Sequence, residues 1–166
     1  MSLLSTVNQF LIKILRKSCV VLLAVFTLVV LLQIATRNYI KIPMGWTAEV
    51  SLLCFLWSVY LGSAVAVKTR AHYVIELLPP KFVVTNALMN ILADLAIFSL
   101  IFVLMWGGAK FTQLGLVRDC TSIPLSMAWL FVVMPLSGCF MFLFGLENLW
   151  EDCIQFKKIL AGSEEA

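Results

Sequence analysis

The sequence predicts an all-α integral membrane protein, with four transmembrane helices, both termini cytoplasmic, and an amphipathic interfacial helix at the N-terminus. Three observations lead there. Four long stretches each hold at most one ionisable residue: 18–36, 50–67, the segment between Lys81 and Lys110, and the segment between Asp119 and Glu147. Hydrophobic residues make up 62% of a 166-residue chain, more apolar surface than a soluble fold of this size can hide. The charges between the stretches are unevenly placed, and that bias sets the orientation.

A helix rises ~1.5 Å per residue, so ~20 apolar residues cross a ~30 Å hydrocarbon layer. Each stretch is long enough. We place the spans at about 18–36, 49–68, 84–107 and 124–147, with a cytoplasmic tail at 148–166. Together they make one membrane domain over 1–166. Lys13, Arg16, Lys17, Lys68, Arg70, Lys81, Lys157 and Lys158 fall on one side, against Arg37, Lys41, Lys110 and Arg118 on the other. The side with more lysine and arginine is the cytoplasmic one.

Before the first span, Leu3, Leu4, Val7, Phe10, Leu11, Ile14 and Leu15 recur at helical spacing, with Ser5, Thr6, Asn8, Gln9 and Lys13 between them. This pattern suits a helix at 3–16 lying in the headgroup region; a direct continuation into the first span fits it equally. The apolar run begins only at residue 18, has full span length and ends without a small-residue cleavage site. It therefore reads as a retained span, not a signal peptide.

The second span opens after Pro43-Met44-Gly45-Trp46. Trp46 suits the interfacial aromatic belt, and Glu49 in a first turn complements the helix dipole. Glu49 could also pair with Arg37 across the outer turn or with a partner subunit. Gly62, Ser63, Ala64 and Ala66 form a small-residue patch that permits close helix approach. On the third span Asn86, Asn90 and Asp94 recur every four residues and share one face. A mid-helix carboxylate costs ~2.5–3.5 kcal/mol on insertion scales, so Asp94 asks for a reason. It reads either as a proton or ion site or, more simply, as part of a polar stripe that bonds a neighbouring helix. The fourth span begins at Thr121-Ser122-Ile123-Pro124, a hydroxyl cap before proline, and Pro135 should kink it.

Several function classes drop out. The five cysteines are scattered, form no CxxC, and only Cys120 falls on the outer side. One histidine, His72, leaves no bis-histidine haem or HExxH zinc site. There is no phosphate-binding glycine loop, no nucleophile elbow and no basic nucleic-acid surface. No enzyme activity, cofactor, metal or nucleic acid is expected.

The middle of the chain resembles a known family. Arg37-Asn38-Tyr39, Trp46-Thr47-Ala48-Glu49, Phe55-Leu56-Trp57-Ser58-Val59-Tyr60-Leu61-Gly62-Ser63-Ala64 and Lys68-Thr69-Arg70-Ala71-His72 look like the small membrane subunit of tripartite ATP-independent periplasmic (TRAP) transporters. Ser122-Ile123-Pro124 and Met134-Pro135-Leu136-Ser137-Gly138 resemble that family's fourth span. Members often carry a second acid before the position of Glu49 and an arginine three residues after it. Here those positions hold Ala48 and Leu52, which leaves Arg37 or a partner chain as the expected mate of Glu49.

The resemblance implies sodium-coupled import of a carboxylate-bearing substrate, such as a dicarboxylate or sialic acid, across the bacterial inner membrane. It implies two protein partners beside membrane lipids: a periplasmic substrate-binding protein, and a large polytopic subunit with the substrate and sodium sites that moves by an elevator-like excursion. The small subunit is then a scaffold. Arg37, Trp46, Glu49, Trp57, Gly62 and His72 are the expected assembly residues. The rivals are an autonomous homodimeric four-helix exporter working through Asp94, and a membrane redox enzyme or haem-bearing anchor. The second lacks the cysteines and histidines it would need.

Overall fold

The computed structural model describes residues 2–41, 44–70 and 83–163; side chains are described for 6–41, 44–70, 89–154, 156 and 157. The helices are α1 (Ser2–Ala35), continued by a π-turn (Thr36–Ile40), then α2 (Gly45–Lys68), α3 (Val83–Leu116), a short α4 (Ala128–Phe131) and α5 (Val133–Ser163). Four helical segments are long and apolar enough to cross a membrane: Thr6–Ile40, Gly45–Lys68, Met89–Leu116 and Ala128–Ile154. The all-helical expectation holds, and no strand forms among the described residues.

The segments expected as an interfacial helix and a first span are one unbroken helix. At ~1.5 Å per residue, its 34 residues extend ~50 Å, well beyond the hydrocarbon layer. One side packs inward through Asn8, Leu11, Leu15, Cys19 and Leu22, while Val7, Phe10 and Ile14 point out. Asn8, expected among the polar residues of a headgroup-facing side, is fully buried against the bundle. At the other end Thr36 bends its hydroxyl back to the carbonyls of Leu32 (2.9 Å) and Gln33 (3.1 Å). The π-turn follows, and Lys41 closes it in the left-handed region at φ 57°.

The spans are not arranged as a closed square. α1 packs on α2, α2 on α5, and α5 on α3, so the last helix of the chain lies between the second and third. α2 and α3 make no close backbone approach among the described residues. The core runs along this row: Leu15 from α1, Leu61, Ala64 and Val67 from α2, Ile101 from α3, and Val133, Met141 and Phe144 from α5. α3 and α5 meet closely because Gly108 carries no side chain. A Cβ there would lie 2.6 Å from that of Met134 and 2.8 Å from the Pro135 ring.

The fourth span starts later than its cap signal suggests, at Ala128 instead of Pro124. Residues 117–127 fold into a compact loop bonded from Cys120 N–H to Leu125 O (2.8 Å) and from Met127 N–H to Arg118 O (2.8 Å). The expected kink appears as a break at Val132 between α4 and α5. Pro135 has no N–H for the Phe131 carbonyl, and its ring crowds the preceding turn.

Candidate functional site

The polar groups of this membrane chain collect at the two ends of the bundle. At one end α2 begins at Gly45, which moves Glu49 out of the first turn. Its carboxylate reaches the 117–127 loop instead. Thr121 donates its backbone N–H (2.7 Å) and its hydroxyl (2.7 Å), and Ser122 donates its N–H (3.0 Å). Glu49 thus caps the loop that was expected to cap the fourth span. Charge-assisted bonds of this kind are roughly twice as strong as neutral ones. A Cβ at Gly45 would collide with the Ser122 hydroxyl, so glycine there lets the loop sit down on α2.

Nearby, Trp57 donates its indole N–H to the Trp129 carbonyl at 2.9 Å. The break ahead of Pro135 interrupts the helical ladder, and a neighbouring helix satisfies an acceptor there. Arg37, the other expected mate of Glu49, makes no ion pair among the described residues. It lines a cavity of about 380 Å³ with Gln33, Thr36, Lys41, Met44, Gly45 and Ala48. Cys120 lies in the same loop as Thr121. Burial first, then the charges of Glu49 and Asp119, push its thiol pKa up.

The other end holds a network that the sequence reading did not find. Glu147 of α5 receives Asn8 Nδ2 of α1 at 2.5 Å and Lys68 Nζ of α2 at 2.7 Å. One residue on, Asn148 Nδ2 donates to the Val67 carbonyl at 2.8 Å, satisfying an acceptor at the α2 C-terminus. Arg70 bonds Asp152 through Nη1 at 2.6 Å and the Asn148 carbonyl through Nη2 at 3.1 Å, with Glu151 at 3.6 Å. Asn8, Glu147, Asn148 and Asp152 are all buried.

Arg70 holds this position at φ 53°, just past the cap of α2, where glycine is the usual occupant. The left-handed backbone costs an L residue roughly 1–2 kcal/mol, which the ion pair and carbonyl contact offset. The signal was present in the spacing. Glu147, Asn148 and Asp152 lie within five residues at the end of a span, opposite Lys68 and Arg70 at the end of another.

Of the remaining expected residues, Trp46 is partly exposed at the N-terminal end of α2, and Gly62 has open space where a side chain would stand. Asp94 is 2% exposed and Asn90 is half-buried. Phe98, one turn beyond Asp94, faces Gly145, and α3 and α5 run antiparallel. Asp94 therefore sits nearer the Glu147 end than the middle of the bundle. Asn86 lies on α3, but its side chain and all of His72 fall outside the described residues.

Polar groups of the chain bond one another at both ends, and an apolar row of helices lies between them. Comparison with known proteins identifies the chain's family. The family profile described as "Tripartite ATP-independent periplasmic transporters, DctQ component" matches residues 26–154. The chain belongs to this family. It is also 26% identical over 130 residues to the "Sialic acid TRAP transporter small permease protein SiaQ" of Vibrio cholerae serotype O1, covering 78% of this chain and 75% of the relative. The TRAP small-permease family implies a tripartite complex with a large membrane subunit and a binding protein, and a transport role.

Proposed function

We propose that this chain is the small subunit of a sodium-coupled TRAP importer of carboxylate-bearing substrates, of the sialic acid or C4-dicarboxylate type. In this reading it stabilises a large elevator-type subunit that carries the substrate and sodium sites. It sits in the bacterial inner membrane with both termini cytoplasmic, an orientation supported by the excess of lysine and arginine at the Glu147 end. The first turns of α1 then stand in the cytoplasmic headgroup layer, since the helix is longer than the hydrocarbon it crosses.

The observation that carries the scaffold role is where the polar groups go. Glu49, Trp57, Lys68, Arg70, Glu147 and Asp152 all bond other parts of the same chain. Such pairs hold helices in register. The printed name of the Vibrio relative favours sialic acid as the first substrate to test.

The test has two steps. The chain is purified from its native membrane in mild detergent, and what accompanies it is identified. The complex is then reconstituted with its binding protein, and uptake of sialic acid and of a C4-dicarboxylate is measured with and without an inward sodium gradient. A stoichiometric large polytopic partner and sodium-dependent uptake are expected. Recovery of the chain alone as a transporting homodimer would sink the proposal.

A further inference from the structure

Two adjoining pockets, the lower one shallow and open, lie along the α1/α2 seam. The upper one, about 380 Å³, is lined by Gln33, Thr36, Arg37, Lys41, Met44, Gly45 and Ala48. The lower one, about 450 Å³, is lined by Phe26, Gln33, Ala48, Ser51, Leu52 and Phe55. Gln33 and Ala48 line both, so the cavities adjoin at that level. Two cations mark the outer mouth, and aromatic and aliphatic side chains line the trough below it. From Gln33 to Phe26 the trough runs seven residues of helix, or ~10 Å into the bilayer.

We propose that this seam is a binding site for an anionic phospholipid, with its phosphate on Arg37 and Lys41 and one acyl chain along Phe26, Leu52 and Phe55. Charge complementarity argues for the headgroup. Among the described residues neither cation has an acidic partner, and Glu49, the carboxylate nearest in sequence to Lys41, is held by Thr121 and Ser122. The local backbone favours the same ligand. The π-turn and the left-handed Lys41 bring both cations to the rim of one cavity. The ordering of the site matches a lipid standing in its own leaflet: charge at the interface, apolar wall beneath. A soluble anion would use the mouth and leave the trough unfilled.

The experiment is native mass spectrometry of the purified complex, titrated separately with phosphatidylglycerol, phosphatidylcholine and inorganic phosphate. Wild type should retain phosphatidylglycerol in preference to phosphatidylcholine. Arg37→Gln/Lys41→Gln should lower that preference by roughly tenfold or more, since each cation near a lipid surface contributes ~1 kcal/mol. Ala48→Phe, which fills the junction of the two cavities, should weaken retention of both lipids and leave their ratio unchanged. Equal retention of the two lipids by wild type would overturn the proposal, as would an unchanged preference in the double variant. Binding of inorganic phosphate without retention of either lipid would also overturn it and leave a free-anion site. Both substituted cations are exposed, so the double variant is expected to fold.

Discussion

Single side chains decide how the two ends hold. Glu49→Gln keeps the shape of the clamp on the 117–127 loop but removes its charge, so the Thr121 and Ser122 donors face a neutral amide oxygen. We expect a modest loss of stability, read as a lower melting temperature of the purified complex. Asp152→Ala leaves Arg70 facing a partly buried site without its carboxylate. Breaking a buried pair from one side costs ~3–5 kcal/mol, and the exposure of Arg70 places this one toward the lower end. Arg70→Gly relieves the left-handed backbone but strands Asp152, so it should still destabilise; adding Asp152→Asn should recover part of the loss. Denaturation of the three variants in one detergent checks the order, and a single Arg70→Gly at or above wild-type stability would refute the account. The sequence marks Glu49 as a residue needing a partner, but its partners lie 72 and 73 residues away and no local pattern reveals them. In the Glu147 network the Asn8 bond stays hidden for a similar reason, although the acidic cluster opposite Lys68 and Arg70 does not. Asn8 and Glu147 are 139 residues apart, and each alone looks like an ordinary boundary residue.

At the scale of elements, the helices were legible and their edges less so. Apolar run length finds all four spans because the bilayer imposes one length on each. It sees neither the early start of α2 at Gly45 nor the late start of α4 at Ala128, where Glu49 and the 117–127 loop bond each other across distant sequence. Gly108 is a tight point between α3 and α5, set against the Met134 Cβ and the Pro135 ring. Gly108→Leu should force these helices apart and lower recovery of folded chain, whereas Gly62→Leu, with open space around it, should leave the isolated chain folded. Detergent-solubilised yield and melting separate the two. If Gly62→Leu also prevents co-purification of the large subunit, that face is the interface. The orientation is tested through cysteines in the loop and tail. Cys120 is half-buried outside the spans and Cys153 is exposed near the opposite end. In spheroplasts an impermeant maleimide should label Cys120 and spare Cys153. The raised pKa of Cys120 keeps more of its thiol protonated near neutral pH, so labelling should be slow there and quicken as pH rises.

For the whole molecule, the proposed scaffold role makes a clear statement about Asp94. In the reconstituted complex Asp94→Asn should leave the sodium dependence of uptake intact and act through stability alone; abolished transport with normal assembly would favour the autonomous exporter. The family was legible from motifs spread over Arg37 to Gly138, because these sit where helices start, end or approach one another. The order of packing was not legible, since hydropathy gives each helix a length and no neighbour. That order, α1–α2–α5–α3, has a consequence for how the chain is made. When α2 and α3 have entered the membrane their backbones do not approach closely, and the helix that packs between them is still to be made. α3 then lacks its main packing partner until α5 follows. A chain truncated before α5 should therefore leave α3 without its main packing partner, and a pulse-chase should show it lost from the membrane faster than the chain that carries α5.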